Sequence, residues 1–402
     1  MKRGKKVIQS FFLQDVLHLI CLKITRKGEM FLRKQLKIYY NIYLSGLFLV
    51  VFGIVIVLSS SAGYAITENQ NPFIYLFKHI LGLFLAGIFL IFFERLGIEK
   101  FKKLITPLFI LSIILLIIPV VTGNLRWIRI GILSFQPSEL IKLTFLLYLS
   151  NYLTAIKKKG KINNIKSLIL PSISLLIITI LLQLQKDLGT FLIILFLFFL
   201  LLYIAGFPRK YLLSMVSAGV VLFSILIFIF PYRIERIKIF VNSILNPEKV
   251  YTSKGYYQIK QSKIALGSGG IFGEGVGIGK GKLRFLPEAH TDYVFAVIGE
   301  EMGFIGCMVV VFLFGLLIFS SLELAIRLKD IFEKFIVLGI SSLIGSQFLM
   351  HVYVVLNLIP SKGTTLPFFS AGTSSLFVNL IALGILLHIA KRRCADIFEE
   401  EI

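Results

Sequence analysis

Five aspartates occur in the 402-residue chain, Asp15, Asp187, Asp292, Asp330 and Asp396. Asp292 closes the polar stretch Leu286-Pro-Glu-Ala-His-Thr-Asp, immediately before the apolar run Tyr293-Val-Phe-Ala-Val-Ile. A carboxylate at the mouth of a membrane cavity is partly desolvated. Its pKa rises, which suits it to take a proton from a hydroxyl nucleophile. The competing role is structural: Thr291 or Asp292 would cap the helix that follows, since both side chains accept hydrogen bonds from free N–H groups. Spacing by itself leans toward the cap. Asp187, in Gln185-Lys-Asp-Leu-Gly-Thr, opens another apolar run, and for it the cap is the stronger expectation. Glu139 and Lys142 stand three apart and share a helical face. Ionisable groups at membrane depth cost roughly 2.5–3.5 kcal/mol each on insertion scales, so they face a polar cavity or each other. With both signs present, a mutually satisfied pair is an equal contender. Glu300 and Glu301 fall off the face that Asp292 occupies.

Other motifs carry weaker signals. The stretch Gly267 to Gly281 holds eight glycines in 15 residues but lacks the strand–GxxxxGK[ST]–helix pattern of a phosphate-binding loop, so nucleotide binding is not expected. It reads as a flexible loop or as mobile backbone whose N–H groups approach a phosphate or sugar. Ser370-Ala-Gly-Thr-Ser-Ser opens a late apolar segment with small residues, which points to close helix packing more than to a site. Arg126-Trp127 and Gln136-Pro-Ser138 flank the start of another, and Trp127, the single tryptophan, reads as an interface anchor. Cys21, Cys307 and Cys394 are scattered without CxxC spacing, so neither a disulfide framework nor a zinc site is expected.

These residues must be positioned by membrane helices. The chain is 57% hydrophobic with a mean hydropathy of +0.88 and only 16% charged residues, a composition that a soluble core of this size could not bury. Roughly 20 apolar residues cross a hydrocarbon core. Ten segments qualify, near 40–61, 72–93, 104–121, 135–155, 167–184, 188–206, 211–230, 293–319, 333–357 and 370–390. The expected fold is all-α and polytopic: residues 1–38 form a cytoplasmic extension, 39–392 a ten-span membrane domain, and 393–402 a cytoplasmic tail. Residues 231–291 form a large extracytoplasmic loop between the seventh and eighth helices. The extension lacks the clean apolar run of a signal peptide, and Met30 is an alternative start. Of 43 basic residues, 27 then lie on the cytoplasmic side, which fixes both ends there. The net charge of +22 becomes an orientation signal and an affinity for anionic lipid, and no nucleic-acid partner is needed to explain it. The apolar residues of 234–245 recur at helical spacing, as in a helix lying at the interface or packed on the ends of the spans.

Taken together, Arg126-Trp-Ile, Gln136-Pro-Ser-Glu-Leu-Ile-Lys142, Asp187-Leu-Gly-Thr, Gln261-Ser through Gly-Ser-Gly-Gly, Leu286-Pro-Glu-Ala-His-Thr-Asp-Tyr, Gly299-Glu-Glu-Met-Gly and Pro360-Ser-Lys-Gly-Thr-Thr-Leu-Pro-Phe-Phe-Ser resemble the SEDS (FtsW/RodA/SpoVE) family of bacterial cell-wall polymerases. They run in family order over residues 40–390. The resemblance implies a ten-span peptidoglycan glycosyltransferase of the cytoplasmic membrane, polymerising lipid II on its outer face. It would work with a class B penicillin-binding transpeptidase and other division proteins. The wording Pro-Glu-Ala-His-Thr-Asp is closer to the family's division branch than to its elongation branch, which places the protein at the septum.

The family's essential aspartate falls on Asp292, which reverses the balance against the cap and makes Asp292 the general base on an acceptor sugar hydroxyl. Lys142, Glu139, Lys362, Arg126, Glu288 and His290 are carried over as cavity or substrate-contact candidates. Basic residues or a divalent cation, Mg or Mn, would offset the charge of the departing diphosphate. No cofactor is required by the sequence, and no metal ligands are assigned. Four positions depart from the family pattern: Lys186 replaces a proline, Ser370-Ala-Gly-Thr-Ser replaces Ser-Tyr-Gly-Gly-Ser, His351 replaces an asparagine, and Ser134 stands where many members carry a basic residue. Ala371 and Thr373 weaken any role assigned to that serine-rich motif. The rival readings are a lipid II flippase, an elongation-type polymerase and a scaffold that only activates its transpeptidase. No internal repeat of the transporter kind is evident.

Overall fold

The computed structural model describes residues 26–67, 73–124, 126–130, 133–229, 231–245, 254–277 and 286–401. Among these, twelve α-helices follow one another: α1 (Arg26–Thr67), α2 (Phe73–Leu96), α3 (Ile98–Val121), α4 (Pro137–Lys158), α5 (Ile169–Leu184), α6 (Leu188–Ala205), α7 (Arg209–Ile229), α8 (Pro231–Leu245), α9 (Lys254–Ser268), α10 (Val294–Arg327), α11 (Ile331–Val355) and α12 (Thr373–Glu401). Eight of the described helices are long and apolar enough to cross a membrane, the first from Phe31 and the last to Phe398. The protein is therefore a polytopic membrane protein. Residues 26–38, expected to precede the first span, belong to α1, and α12 carries residues 393–401 of the expected tail as helix. The rest of the expected extension lies outside the described residues.

Two of the ten expected spans, α4 and α7, fall outside the eight. For α4 the reason is its position. It packs against α3, α6, α11 and α12, and nearly all of its circumference is buried, Glu139 and Lys142 included. A helix sheathed by other helices never presents its charges to lipid, so it need not be as apolar as its neighbours. The peripheral helices show the opposite pattern. Phe77, Phe84, Ile88 and Phe92 on α2, and Ile110 and Ile114 on α3, are exposed and large, as a hydrocarbon solvent requires.

Close helix contacts are made through glycine. Gly53 on α1 lies against the Phe368 carbonyl, Gly339 on α11 against Leu146 of α4, and Gly384 on α12 against Leu90 of α2. Where hydrocarbon is the solvent, packing rather than water exclusion holds helices together, so such approaches matter.

The all-α expectation missed one element. Residues Ile128–Ile130 (β1) and Leu133–Phe135 (β2) form an antiparallel hairpin with Arg129 opposite Ser134, ahead of α4. The alternating apolar positions of Trp127-Ile-Arg-Ile were its signal. The helix expected from 234–245 exists as α8, packed onto protein: Arg233 is buried and donates to Gln183 Oε1, and Arg236 donates to the Ser361 carbonyl at 2.9 Å.

The glycine-rich stretch also departs from expectation. As far as Gly277 it is a strap against a break in α10, where Gly303 adopts φ 67° and ψ −164°. The break leaves carbonyls and N–H groups without helical partners, and the strap supplies them. Glu274 and Gly275 N–H groups donate to the carbonyls of Glu300 and Glu301 at 2.9 and 3.0 Å, while Phe304 and Ile305 N–H groups donate to those of Gly270 and Ile271 at 2.9 and 3.2 Å. A Cβ at Gly269 or Gly273 would fall 2.0 or 2.2 Å from a carbonyl oxygen, so no larger residue fits. These N–H groups are committed to protein rather than free for a phosphate; residues 278–281 lie outside the described ones.

Candidate active site

A cavity of about 400 Å³ opens at the end of the bundle where α4, α6 and α12 begin and the loop before α10 descends. Its wall includes Asp292, Asp187, Glu139, Lys142, Arg126 and Gln347.

Asp292 sits in a turn held by the Asp292 N–H donating to the Glu288 carbonyl at 3.0 Å, with Glu288 at φ 57°. The capping expectation fails. Helix α10 starts after Tyr293 with no side-chain cap, and Thr291 Oγ1 donates to Glu288 Oε2 at 3.1 Å. The Asp292 carboxylate accepts no hydrogen bond from a described residue and lies against Gly363, where a Cβ would be 3.0 Å from Oδ2. Burial in the cavity pushes its pKa from 3.8 up to about 7. The neighbouring Glu288 charge adds to the rise, while Arg126 and Arg236 oppose it.

Asp187 shows the reverse economy. It caps α6, accepting from the Thr190 N–H at 3.1 Å through Oδ1, and its Oδ2 accepts from Ser138 Oγ at 2.8 Å and Thr190 Oγ1 at 3.0 Å. It is cap and cavity wall at once, with both oxygens hydrogen-bonded. Glu139 and Lys142 are likewise both things proposed for them: a buried ion pair at 2.8 Å and part of the wall.

Arg126 lines the cavity while its Nε donates to the Gln185 carbonyl at 3.0 Å and its Nη2 to that of Lys186. It thereby braces the α5–α6 turn that carries Asp187. Glu288 is on the wall. Lys362 is not, although it stands near enough to Asp187 to feel its charge; burial lowers its pKa to about 8 against that attraction. His290 is buried away from the wall, its carbonyl accepting from the Ala371 N–H at 2.9 Å, and burial lowers its pKa while Glu288 opposes the change. Trp127, expected as an interface anchor, also lines the cavity.

Sequence reasoning undervalued Gln136, Thr190, Gln347, Ser374 and Ser375, which all reach the wall. Ser374 Oγ accepts from the Gln136 N–H at 2.9 Å, and Ser370 Oγ donates to the Thr291 carbonyl at 2.7 Å. The serine-rich motif thus builds the site despite its two departures, and Thr373 rests its methyl on Gly82. The Lys186 departure has a local cause. Lys186 adopts φ 57° and its N–H donates to the Gln183 carbonyl at 3.0 Å, and proline allows neither.

A family model described as cell cycle protein, FtsW/RodA/SpoVE, matches residues 40–394. The chain belongs to the FtsW/RodA/SpoVE family. Its curated relatives include the probable peptidoglycan glycosyltransferase FtsW of Geobacter sp. strain M18, 37% identical over 353 residues that cover 86% of this chain and 94% of the relative. The protein of the same name from Borreliella burgdorferi is 35% identical over 349 residues, with the same coverage of 86% and 94%. Among solved structures, a chain from a study of the structural coordination of polymerization and crosslinking by a peptidoglycan synthase complex superposes with a TM-score of 0.70 at 28% identity, covering 88% of this chain and 98% of that one. The rod shape determining protein RodA of Thermus thermophilus gives a TM-score of 0.61, also at 28% identity, covering 86% and 96%. This FtsW/RodA/SpoVE chain therefore shares both sequence and fold with proteins named for cell-wall synthesis.

Proposed function

We propose that this chain is a peptidoglycan glycosyltransferase that polymerises lipid II, with Asp292 as general base. One observation supports the assignment above others. Asp292 is a cavity carboxylate with no described hydrogen-bond donor, held by burial at a pKa of about 7, where base and acid forms are both available.

In the proposed step, Asp292 removes the proton from the acceptor sugar hydroxyl as its oxygen attacks the anomeric carbon of the donor. The carbon–oxygen bond to the diphosphate breaks, and undecaprenyl diphosphate leaves with the bonding pair. Arg126 on the wall, Arg236 within reach of the Asp292 charge and Lys362 within reach of that of Asp187 supply positive charge for the leaving group, whereas the charge of Lys142 is largely spent on Glu139. The described residues do not by themselves build a closed cage for a divalent cation. Both oxygens of Asp187 already accept hydrogen bonds, Glu139 is paired, and among the described residues no group of three His, Cys, Asp or Glu converges. The proposed step is therefore written with protein groups alone.

For topology, α4 with 22 residues and α7 with 21 are long enough to cross. Counting them gives ten spans, with residues 231–291 outside and both ends in the cytoplasm of a bacterial inner membrane. The likeness to division relatives supports a septal role alongside a class B transpeptidase and other division proteins. The test is direct: purified protein with its cognate transpeptidase converts lipid II into glycan strands, and Asp292→Ala abolishes this with the complex intact. A mutant that polymerises normally refutes the base. Wild type that moves labelled lipid II across liposomes without making glycan is a flippase.

A further inference from the structure

His351 sits on α11, off the cavity wall, at 0% exposure, and bridges two backbones that flank Asp292. Its Nδ1 lies 2.7 Å from the Thr364 carbonyl and its Nε2 3.3 Å from the Phe295 N–H. The carbonyl can only accept and the amide can only donate, so the ring is neutral, with its proton on Nδ1. One bond holds the loop bearing Gly363, which touches the Asp292 carboxylate. The other holds the first turn of α10, three residues after Asp292. The Phe295 N–H is one of the orphan donors at a helix start where no side chain caps, so the ring replaces the missing cap from a neighbouring helix.

We propose that His351 is a positioning residue for the transfer step: it clamps the Gly363–Thr364 loop to the start of α10 and so sets where the Asp292 carboxylate points. The proposal rests on Asp292 being the base. It also bears on the departure at this position, because asparagine, the family residue, carries one acceptor group and one donor group in a plane, the two kinds of group these partners call for. The loop has further fastenings at Ser361, bonded to Arg236, and at Thr365, 2.9 Å from Ser375 Oγ. Losing the clamp therefore loosens the loop locally and does not release it.

The test compares His351→Phe, which keeps a ring but neither bond, with His351→Asn, which keeps both bonding groups. In lipid II polymerisation, His351→Phe is expected to lower kcat by about 10- to 100-fold with KM unchanged, the scale at which displacing a reacting group by about 1 Å acts. His351→Asn is expected to stay within about threefold of wild type. Gly363→Ala perturbs the same gap from the loop side without altering the histidine, and the same kcat loss is expected; it decides the matter if His351→Phe does not fold. Wild-type kcat in His351→Phe or in Gly363→Ala overturns the proposal. So does His351→Asn failing as badly as the phenylalanine variant, or a loss carried by KM. If Asp292→Ala is inactive while His351→Phe is normal, the clamp alone fails; if Asp292→Ala is active, the base assignment has failed first.

Discussion

Replacing Glu288 by glutamine should move the acidic limb of the reaction to lower pH. A general base at Asp292, as proposed, must be deprotonated to act, so polymerisation at saturating lipid II is expected to rise with pH through about 7 and level off above about 8. Burial is the largest cause of that elevated value and Glu288 the next. The two residues are four apart in one turn, closed by the Asp292 N–H bond to the Glu288 carbonyl, and a charge separation of about 6 Å is taken for the Coulomb sum. Glu288 is exposed, so an effective dielectric constant of about 40 is appropriate, and Coulomb's law gives about 1.4 kcal/mol. That corresponds to about one pH unit. Removing the like charge makes the base form easier to hold, so the limb falls from about 7 to about 6. At pH 6 the base fraction climbs from roughly a tenth to roughly a half, a gain of about fivefold, while rates above pH 8 do not change. Initial rates of glycan formation on gels between pH 5.5 and 8.5 measure this, and added salt should shrink the difference. A limb that stays in place, or moves upward, refutes the electrostatic account of Asp292. A wild-type limb persisting in Asp292→Asn removes Asp292 from the rate law altogether.

Other outcomes follow from the same geometry. Lys142→Met leaves Glu139 buried without its partner and should cost about 3–5 kcal/mol, read as a lower thermal midpoint in detergent, with Glu139→Gln added in the same chain restoring most of it. Lys186→Pro, although it restores the family residue, should lower the thermal midpoint by several degrees, because the position needs φ 57° and a donating N–H; an unchanged midpoint would mean the turn refolds freely. Asp292→Asn should raise the midpoint most at pH 8, less at pH 5 and not at all below about pH 4. The folded pKa of the acid lies above its ordinary 3.8, so the native state binds more protons than the unfolded one and loses stability as pH climbs from about 4 to about 7, a loss asparagine avoids.

The membrane helices were legible because their signal is local: twenty apolar residues announce a span wherever they occur. The case of α4 marks the limit. Its charges make sense only once four other helices surround it, and surroundings are not written in a window of sequence. Asp187 and Asp292 show the same limit from the chemical side. Both precede helices, and local rules give both the role of cap. Only the assembled loop shows that Asp187 has its oxygens filled by Ser138 and Thr190 while those of Asp292 face the cavity. The family motifs bring the right segments together but do not rank residues within them: His290 and Lys362 lie in the motifs yet off the wall, while Gln347 and Ser375 reach it. The glycine-rich strap was misread because its partner is a break thirty residues further on, and a break is invisible until Gly303 is seen to leave the helix.

That strap has a consequence for how the protein can change over generations. The four bonds that join it to α10 are all main chain to main chain, so the joint makes no demand on the identity of Ile271, Phe272 or Glu274. The glycines are the constrained positions: 269, 273 and 303 by the close approach of backbone, and 270, 275 and 277 by their positive φ. The strap can therefore accept a changing set of side chains on its outer face, Ile271 and Phe272 being exposed there, while the mounting of the catalytic segment stays as it is. A lineage could retune whatever touches that face without renegotiating the chemistry a few turns away.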